Sequence, residues 1–528
     1  MLYMISLYDK PIYSVTNCKI NILLPSFKIS MQKSYLIDFV AFILGCSVPL
    51  AFAPVGWFWV GIVALSALLV LCHGISTKRA WWRGYVFGLG MFGVGVSWVS
   101  ISFVQFSELP LIGTIAITSL FVLYLSLFPA LVIWILNRSF TTYTLPSLLL
   151  VMPSLWVVSE WLRGWLFTGF PWLYIGYSQI DSPLSGFAPI TGIYGLNWLV
   201  AMTAGVIVYV YLYRKHWLLL SVLLVAIWLS GAYFKTIEWT QPIDKPIDVV
   251  LLQGNVPQAL KWEEINYSLQ LYFTMTQRDL GADLIIWPET AMPLYYEDAK
   301  PFLARLQQAR ETSGTEFMTG IIVQKTATTY LNAIISLSEQ ETFYYKNHLV
   351  PFGEYIPLSK YIGLLLNFFD VPMSEFSSGE YRQTPLRAVN QPIGASICYE
   401  SAFSGQILQS VPEATLLVNV SNDSWFGHSL APHQHLEIAR MRALETGRYL
   451  MRSTNTGISA IINAQGQITA QSPQFQQYNL RAQVQPYQGA TPYVQWGEKL
   501  ILAMILLLLV FGIFLHKHVI RHQSDAHS

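Results

Sequence analysis

Long apolar runs constrain this chain more than any other feature of its sequence. Each run is long enough to cross the roughly 30 Å hydrocarbon core of a bilayer as a helix. A composition of 53% hydrophobic and 12% charged residues agrees, because it is too apolar for an ordinary soluble enzyme. The sequence therefore predicts about eight membrane-spanning helices. They lie near residues 35–53, 56–73, 83–104, 110–136, 145–166, 189–212, 217–234 and 499–515.

Positive charge is distributed unevenly among the loops between these runs. Lys and Arg occur before the first run and after the second, fourth, sixth and last, whereas the loops around Glu108 and Asp181 carry almost none. Positively charged loops tend to stay in the cytoplasm. We therefore expect both termini inside and residues 236–497 outside. The cationic residues are Lys33, Lys78, Arg79, Arg83, Arg138, Arg214, Lys215, Lys517 and Arg521.

The runs divide the chain into four parts. Residues 31–235 are expected to form a seven-span domain, 236–497 an extracytoplasmic domain with its own core, and 498–528 a closing helix with a short cytoplasmic tail. Residues 1–30 show scattered charges without a clear amphipathic period, so we expect the working protein to start at Met31. No cleavable signal peptide is apparent, and the first helix would then act as an uncleaved anchor.

From Ile247 onward the pattern changes to short β-rich runs separated by polar helical stretches. Several of these runs are continuously apolar, which is typical of strands covered on both faces. The pattern predicts a layered α/β domain with a buried sheet. Strands are expected at 247–252, 284–287, 317–323, 333–337, 393–398, 415–420 and 458–463, and helices near 264–280, 298–312 and 432–447.

Reactive side chains stand at the ends of predicted strands. Glu289 follows a buried strand and a proline, where desolvation can raise its pKa and make it a base, although it could also cap the next helix. Lys346 could hold a developing oxyanion or be a solvated surface charge. Cys398 is the only one of four cysteines beyond Cys72, which excludes a disulfide within its own region. It is either a nucleophile or a buried core cysteine.

Glu289, Lys346 and Cys398, in this order and at strand ends, resemble the catalytic set of the nitrilase superfamily. The resemblance implies an αββα sandwich that forms acyl-enzyme thioesters. With the flanking apolar runs, nearly everything after Met31 resembles the membrane-embedded apolipoprotein N-acyltransferase family. The motifs are GNVPQ (254–258), KW (261–262), WPET (287–290), YYKNHLVPFGEYIP (344–357), CYE (398–400), NVSNDSWFG (419–427), EWLRGW (160–165) and GFPW (169–172).

This resemblance implies a role for each matching residue. Glu289 would be the general base, Lys346 the oxyanion stabiliser and Cys398 the nucleophile. The implied reaction moves an acyl chain from a phospholipid to Cys398, then to the N-terminal amine of a diacylglyceryl-cysteine on a lipoprotein. The implied location is the bacterial inner membrane, with the catalytic domain in the periplasm. Supporting or substrate-binding positions are Trp262, Glu354, Tyr399 and Glu400.

Other features of the sequence leave alternatives open. Glu160 and Arg163 are expected either to pair locally or to line a phospholipid head-group site. The apolar segment 364–369 suits either an interfacial lid or an ordinary packed helix. Trp161, Trp165 and Trp172 suit either an interfacial belt or substrate contacts.

Some ligand classes and rival functions are disfavoured. His433 and His435 have no nearby Cys at familiar metal-site spacing, so we interpret them as structural. Nothing in the sequence calls for a cofactor, and a net charge of +1 argues against nucleic acid as a partner. A membrane-tethered amidase acting on small amides, or an inactive scaffold, would explain less of the chain.

Overall fold

The computed structural model describes residues 31–106, 110–326, 329–351, 353–355 and 376–525. The N-terminal segment 1–30 and the apolar segment 364–369, which carried the expectations of an extension and of a lid, lie outside these residues. The first part of the described chain is helical. Its helices are α1 (Met31–Ser47), α2 (Phe58–Cys72), α3 (Thr77–Gly95), α4 (Val99–Phe106), α5 (Leu111–Ser139), α6 (Met152–Arg163), α7 (Ala188–Tyr213) and α8 (Trp217–Phe234).

Several helices are long and apolar enough to cross a membrane. Within the described ranges there are five such stretches, or six if α3 and α4, which meet at a 52° bend, form one span. Helix α2 is apolar but shorter, at 15 residues. Long apolar helices are thus confirmed, whereas a total of eight spans stays a prediction. The five stretches are Ser34–Ala51, Leu111–Ser139, Pro183–Tyr213, Trp217–Phe234 and Pro492–His522.

Small residues let α1 and α3 cross closely. A Cβ atom on Gly45 would lie 2.0 Å from the Phe87 carbonyl oxygen, and one on Gly90 would lie 2.3 Å from that of Phe42. Both distances are far shorter than any real contact, so neither position accepts a side chain. Such close backbone approach is typical of helix pairs in membranes, where packing replaces the hydrophobic effect.

Among its described residues, the chain after Lys235 forms two six-stranded sheets and a short two-stranded ribbon. The strands are β1 (Gln241–Pro242), β2 (Ile247–Gln253), β3 (Leu284–Ile286), β4 (Glu316–Gln324), β5 (Tyr330–Leu337), β6 (Glu341–Tyr345), β7 (Leu386–Ala388), β8 (Gln391–Ile397), β9 (Leu416–Ser421), β10 (Leu450–Thr454), β11 (Ala460–Ile462), β12 (Ile468–Gln471), β13 (Tyr478–Val484) and β14 (Tyr487–Gln488). One sheet has the order β13-β2-β3-β4-β5-β6 and the other β12-β11-β10-β9-β8-β7. All the predicted strands and helices of this region are present.

Side chains alternate between the two faces of each strand, so each sheet packs against the other sheet on one face and against helices on the other. The helices of this part are α9 (Gln258–Glu263), α10 (Ile265–Gln277), α11 (Tyr296–Ser313), α12 (Ser404–Ile407) and α13 (Ala431–Thr446), and the last described helix is α14 (Pro492–Asp525). On β2, Val249 and Leu251 pack into a core shared with the other sheet, while Val250 and Leu252 pack outward against helices α10 and α11. The second sheet is covered in the same way by α13. The result is the expected αββα sandwich.

Helix α13 joins the sandwich to the apolar helices. Leu436 and Ala439 pack on the second sheet, whereas Ile438 and Met441 belong to the core of the helical part. Glu445 adds a polar link, because its Oε1 accepts a 2.7 Å hydrogen bond from the N–H of Ile193 in α7. A helix buried on both sides fixes the two parts against each other.

Candidate active site

Glu289 lies at the carboxyl end of β3 and is 7% exposed. Its Oε1 accepts a 2.9 Å hydrogen bond from Nδ2 of Asn332 and lies 3.5 Å from Nζ of Lys346. The turn that carries Glu289 sits directly on β4. There, a Cβ on Gly320 would lie 2.5 Å from the Thr290 nitrogen and 2.8 Å from the Glu289 Cα. Only a glycine on β4 leaves room for this turn.

Lys346 follows β6 and is almost completely buried between two carboxylates. Its Nζ lies 2.9 Å from Oε1 of Glu354 and 3.5 Å from Oε1 of Glu289. Burial lowers the pKa of Lys346, but the carboxylates of Glu354 and Glu289 outweigh burial and hold the pKa well above its ordinary value. Lys346 is therefore a buried positive charge and not a solvated surface cation.

Cys398 occupies a sharp elbow immediately after β8. Its φ of 52° lies in the left-handed region, which is uncommon for a residue other than glycine. The residue as a whole is partly exposed. Burial and the charge of Glu289 raise its pKa to about 12, against the lowering effect of Lys346. The three side chains thus share one site, and the thiol holds its proton at neutral pH.

Glu400 fastens the Lys346 loop to this elbow. It is fully buried, and its Oε2 accepts hydrogen bonds from the N–H of Ile397 at 2.7 Å and from the hydroxyl of Tyr344 at 2.9 Å. Its Oε1 accepts from the N–H groups of Asn347 at 2.7 Å and His348 at 3.0 Å. Glu400 therefore sets the position of Lys346 relative to Cys398 without facing the thiol itself.

Tyr399 connects the elbow to the helical part. Its hydroxyl donates a 2.8 Å hydrogen bond to the Gly169 carbonyl, and its ring stacks on Trp172 at 6.1 Å between centroids. Trp172 is only 3% exposed and donates from Nε1 to Oε1 of Gln434 at 2.8 Å. Trp172 is thus a buried connector and not a lipid-facing belt residue. Trp262 lies in α9, and its side chain is outside the described part of the chain.

Glu160 and Arg163 pair locally. Nη2 of Arg163 lies 3.8 Å from Oε1 of Glu160, and both side chains are buried. Arg163 also donates to the carbonyl oxygens of Phe170, at 3.0 Å, and Trp172. The pair thereby holds the segment against which Tyr399 packs. These contacts favour the local-pairing alternative over a head-group site.

Two further residues complete the site, and the sequence did not single them out. Asn332 on β5 donates from Nδ2 to Oε1 of Glu289, at 2.9 Å, and to Oε1 of Glu354, at 3.1 Å. Lys261 donates from Nζ to the Glu289 carbonyl at 3.1 Å, and burial lowers its pKa to about 8. A lone amide inside the apolar strand YLNAIISL was the available signal for Asn332. Lys261 lay beside Trp262 in a motif already quoted.

Family models match both parts of the chain. Residues 44–206 match the apolipoprotein N-acyltransferase N-terminal domain. Residues 249–493 match the carbon-nitrogen hydrolase family, which agrees with the two-sheet sandwich. A carbon-nitrogen hydrolase from Helicobacter pylori is among the similar solved structures, with 14% identity, a TM-score of 0.35, and coverage of 53% of this chain and 98% of that one.

Full-length relatives give a closer match. The apolipoprotein N-acyltransferase of Methylococcus capsulatus is 44% identical over 86% of this chain and 91% of its own length. The protein of the same name from Nitrosomonas europaea is 41% identical over 89% of this chain and 96% of its own length. The chain therefore belongs to the apolipoprotein N-acyltransferase family.

Proposed function

We propose that this chain transfers an acyl chain from a membrane phospholipid to the N-terminal amine of a diacylglyceryl-cysteine on a lipoprotein, through a thioester on Cys398. As a member of its family it is an acyltransferase of lipoprotein biosynthesis. The observation that carries the mechanism is the buried Lys346 ammonium, held between Glu289 and Glu354 at the Cys398 elbow. This set combines a base, a fixed cation and a nucleophile.

In the first half-reaction, Glu289 removes the proton from the thiol as Sγ of Cys398 attacks the ester carbonyl of the phospholipid. The new C–S bond pushes an electron pair onto the carbonyl oxygen. Lys346 and the N–H of Tyr399 stabilise that negative charge. The C–O bond then breaks, Glu289 returns its proton to the departing oxygen, and a lysophospholipid leaves.

In the second half-reaction, the α-amine of the lipoprotein attacks the thioester carbonyl. The same two donors stabilise the second tetrahedral intermediate. Glu289 accepts a proton from the amine and gives it to the sulfur as the C–S bond breaks, which restores the thiol of Cys398 and the carboxylate of Glu289. The products are a triacylated lipoprotein and the free enzyme. Because Cys398 holds its proton at neutral pH, base assistance is needed at the moment of attack.

Both substrates carry acyl chains, so the thiol must lie close to a bilayer. Exposing an acyl chain to water costs about 0.8 kcal/mol per CH₂. The outward faces of α8 and α14 suit lipid, with Leu219 68% and Leu507 69% exposed. We assign the chain to the bacterial inner membrane with about eight spans and a periplasmic sandwich domain, on the basis of hydropathy and loop charge.

The contacts of Tyr399 favour acyl transfer over hydrolysis of small soluble amides. A soluble amidase has no use for a nucleophile elbow that is hydrogen-bonded to Gly169 and stacked on Trp172 between apolar helices. In the proposed membrane setting, an elbow held at the apolar helices supports access of lipid-anchored esters to the thiol. The amidase alternative is accordingly not favoured.

The test is a reconstituted transfer reaction. Full-length protein in phospholipid vesicles receives a synthetic diacylated lipopeptide, and mass spectrometry follows the peptide. We expect a mass gain of one acyl chain with wild type and none with Cys398→Ser. Hydrolysis of small amides together with an unchanged lipopeptide would overturn the proposal. The matched control is Cys46→Ser, which removes a thiol in α1 that is distant in sequence from Cys398.

A further inference from the structure

A buried polar cluster lies behind the Cys398 elbow, and the reaction described above does not use it. It consists of Asn419 on β9, Asp423 just after β9, His435 on α13 and Arg452 on β10. None of the four is more than 2% exposed. Burying two charges and an imidazole is costly unless their geometry is satisfied. The cluster contacts the reactive elbow at the carbonyl group of Cys398.

Arg452 determines which nitrogen of His435 carries the proton. Nη2 of Arg452 lies 2.9 Å from Oδ2 of Asp423 and 2.9 Å from Nδ1 of His435. A guanidinium only donates hydrogen bonds, so Nδ1 must accept, and the imidazole proton is assigned to Nε2. Burial and the positive charge of Arg452 both lower the pKa of His435, which keeps the ring neutral. Oδ1 of Asp423, 3.1 Å from Nδ1, accepts instead from the hydroxyl of Ser421.

The protonated Nε2 lies between two acceptors, the Cys398 carbonyl oxygen at 3.1 Å and Oγ of Ser401 at 3.0 Å. Two further donors reach the same oxygen, the hydroxyl of Ser401 at 3.2 Å and Nδ2 of Asn419 at 3.4 Å. The left-handed φ of Cys398 is strained for a residue with a side chain and persists only where the surroundings over-determine it. These three donors supply that restraint.

Holding this carbonyl also aims the oxyanion donor. The carbonyl of Cys398 and the N–H of Tyr399 belong to one planar trans peptide group and point in opposite directions. Any rotation of the carbonyl therefore turns the N–H away from the substrate by the same angle. Donors on the carbonyl also polarise the group and strengthen its N–H as a donor.

We propose that His435 is a positioning residue for acyl transfer: its Nε2–H, ordered by Arg452, holds the Cys398 carbonyl so that the Tyr399 N–H points at the acyl oxygen. The inference rests on the proposed function, because it needs Cys398 as the nucleophile. His435 exchanges no proton with the substrate. Its effect falls equally on both half-reactions, since each passes through an oxyanion at the same place.

Two amide substitutions separate this role from general support of the fold. In His435→Gln the side-chain amide nitrogen can reach the Nε2 position, whereas in His435→Asn it reaches only the Nδ1 position. We expect His435→Asn to slow both thioester formation and its aminolysis by about 10–100-fold, less than the direct loss of an oxyanion donor. His435→Gln should recover most of that loss. His433→Asn, on the same helix and half-buried, is the matched control.

The rate at which iodoacetamide alkylates Cys398 distinguishes positioning from a purely structural role. If His435 only supported the fold, its loss would change the alkylation rate as well as acyl transfer. This reaction needs the thiolate but no oxyanion donor, so its rate in His435→Asn should equal the wild-type rate. Equal acyl transfer in His435→Asn and wild type would overturn the inference. So would parallel losses of alkylation and transfer in both amide variants. If His435→Asn does not fold, Ser401→Ala removes another donor from the same carbonyl. In that variant we expect acyl transfer to be about 3-fold slower and the rate of alkylation to be unchanged.

The wild-type arm keeps this test separate from the proposed function. Absence of a thioester on wild-type Cys398 would refute the reaction itself, whatever the variants do. A wild-type thioester combined with unaffected His435 variants would refute only the positioning role. Thioester formation and aminolysis are measured as single turnovers on the full chain in phospholipid vesicles, with mass spectrometry of the peptide that carries Cys398.

Discussion

The hydroxyl of Tyr399 donates a 2.8 Å hydrogen bond to the carbonyl of Gly169, 230 positions earlier in the chain. The residue directly after Cys398 is therefore held by the loop that follows α6. Trp172 from the same loop stacks on the tyrosine ring. The reactive elbow thus lies where the sandwich meets the apolar helices.

Tyr399→Phe should reduce acyl transfer modestly. The substitution keeps the ring and the backbone N–H and removes one hydrogen bond, which is worth about 1 kcal/mol or about 5-fold. Tyr399→Ala also removes the stack on Trp172 and should cost more. Initial rates on vesicle substrates measure both. Tyr478→Phe, at a 40% exposed position, is the control, and wild-type rates in Tyr399→Ala would contradict the account.

Glu289→Gln should separate thiol ionisation from catalysis. Glu289 helps to raise the pKa of Cys398 to about 12, so without its charge the thiolate should form at lower pH. The pH profile of iodoacetamide labelling should therefore shift to lower pH. Acyl transfer should nevertheless fall by about 100-fold or more, because the general base is lost. An upward shift of the labelling profile, or retained turnover, would refute this assignment.

Glu354→Gln should weaken the cation that stabilises the oxyanion. Glu354 contributes most to raising the pKa of Lys346 against burial. In the variant that pKa falls, so the ammonium is lost at lower pH than in wild type. The alkaline limb of the pH–rate profile should move to lower pH, with a loss of about 10–100-fold near neutrality. Glu297→Gln, in a solvent-exposed pair with Lys300, should leave the profile unchanged.

Asn332→Ala should slow acyl transfer without unfolding the protein. The amide donates to both Glu289 and Glu354, and hydrogen bonds to charged groups are worth about 1.5–3 kcal/mol, or about 10-fold and more. Without that common donor the two carboxylates repel each other and displace Lys346. Single-turnover thioester formation is the measurement. Asn463→Ala, in the exposed turn before β12, is the control; equal rates in both variants would contradict the shared-donor role.

The strand ends that carry Glu289 and Cys398 could be predicted because hydrophobic runs mark where each strand stops. The strand before Lys346, Glu341–Tyr345, was not among the predicted strands, because only one of its residues is fully buried and it shows no apolar run. The sandwich followed from the resemblance in Glu289, Lys346 and Cys398. Glu400 could be placed near the site from the sequence, but its role could not be described, since it depends on backbone N–H groups of a distant loop, such as that of Asn347, 53 positions away. Hydrophobic periodicity carries no information about contacts between residues so far apart in the sequence.

Buried polar residues were the hardest to interpret from the sequence. His435 is not spaced from other His or Cys residues as metal ligands are, so its sequence context gives no sign of a role. Only the fold brings its ring to the Cys398 carbonyl. From the sequence, Trp172 suited either a membrane-belt residue or a substrate contact, because Trp is common at interfaces. Its hydrogen bond to Gln434 depends on the packing of α13 between the sandwich and the apolar helices, which the sequence alone does not show.

The most direct measurement is intact mass spectrometry of the peptide that contains Cys398, after incubation of the purified full chain with phospholipid and no amine acceptor. The account predicts a hydroxylamine-sensitive acyl mass on Cys398 that disappears when a diacylated lipopeptide is added. An unmodified Cys398 with intact phospholipid, under conditions where lipopeptide is still acylated, would contradict a thioester mechanism.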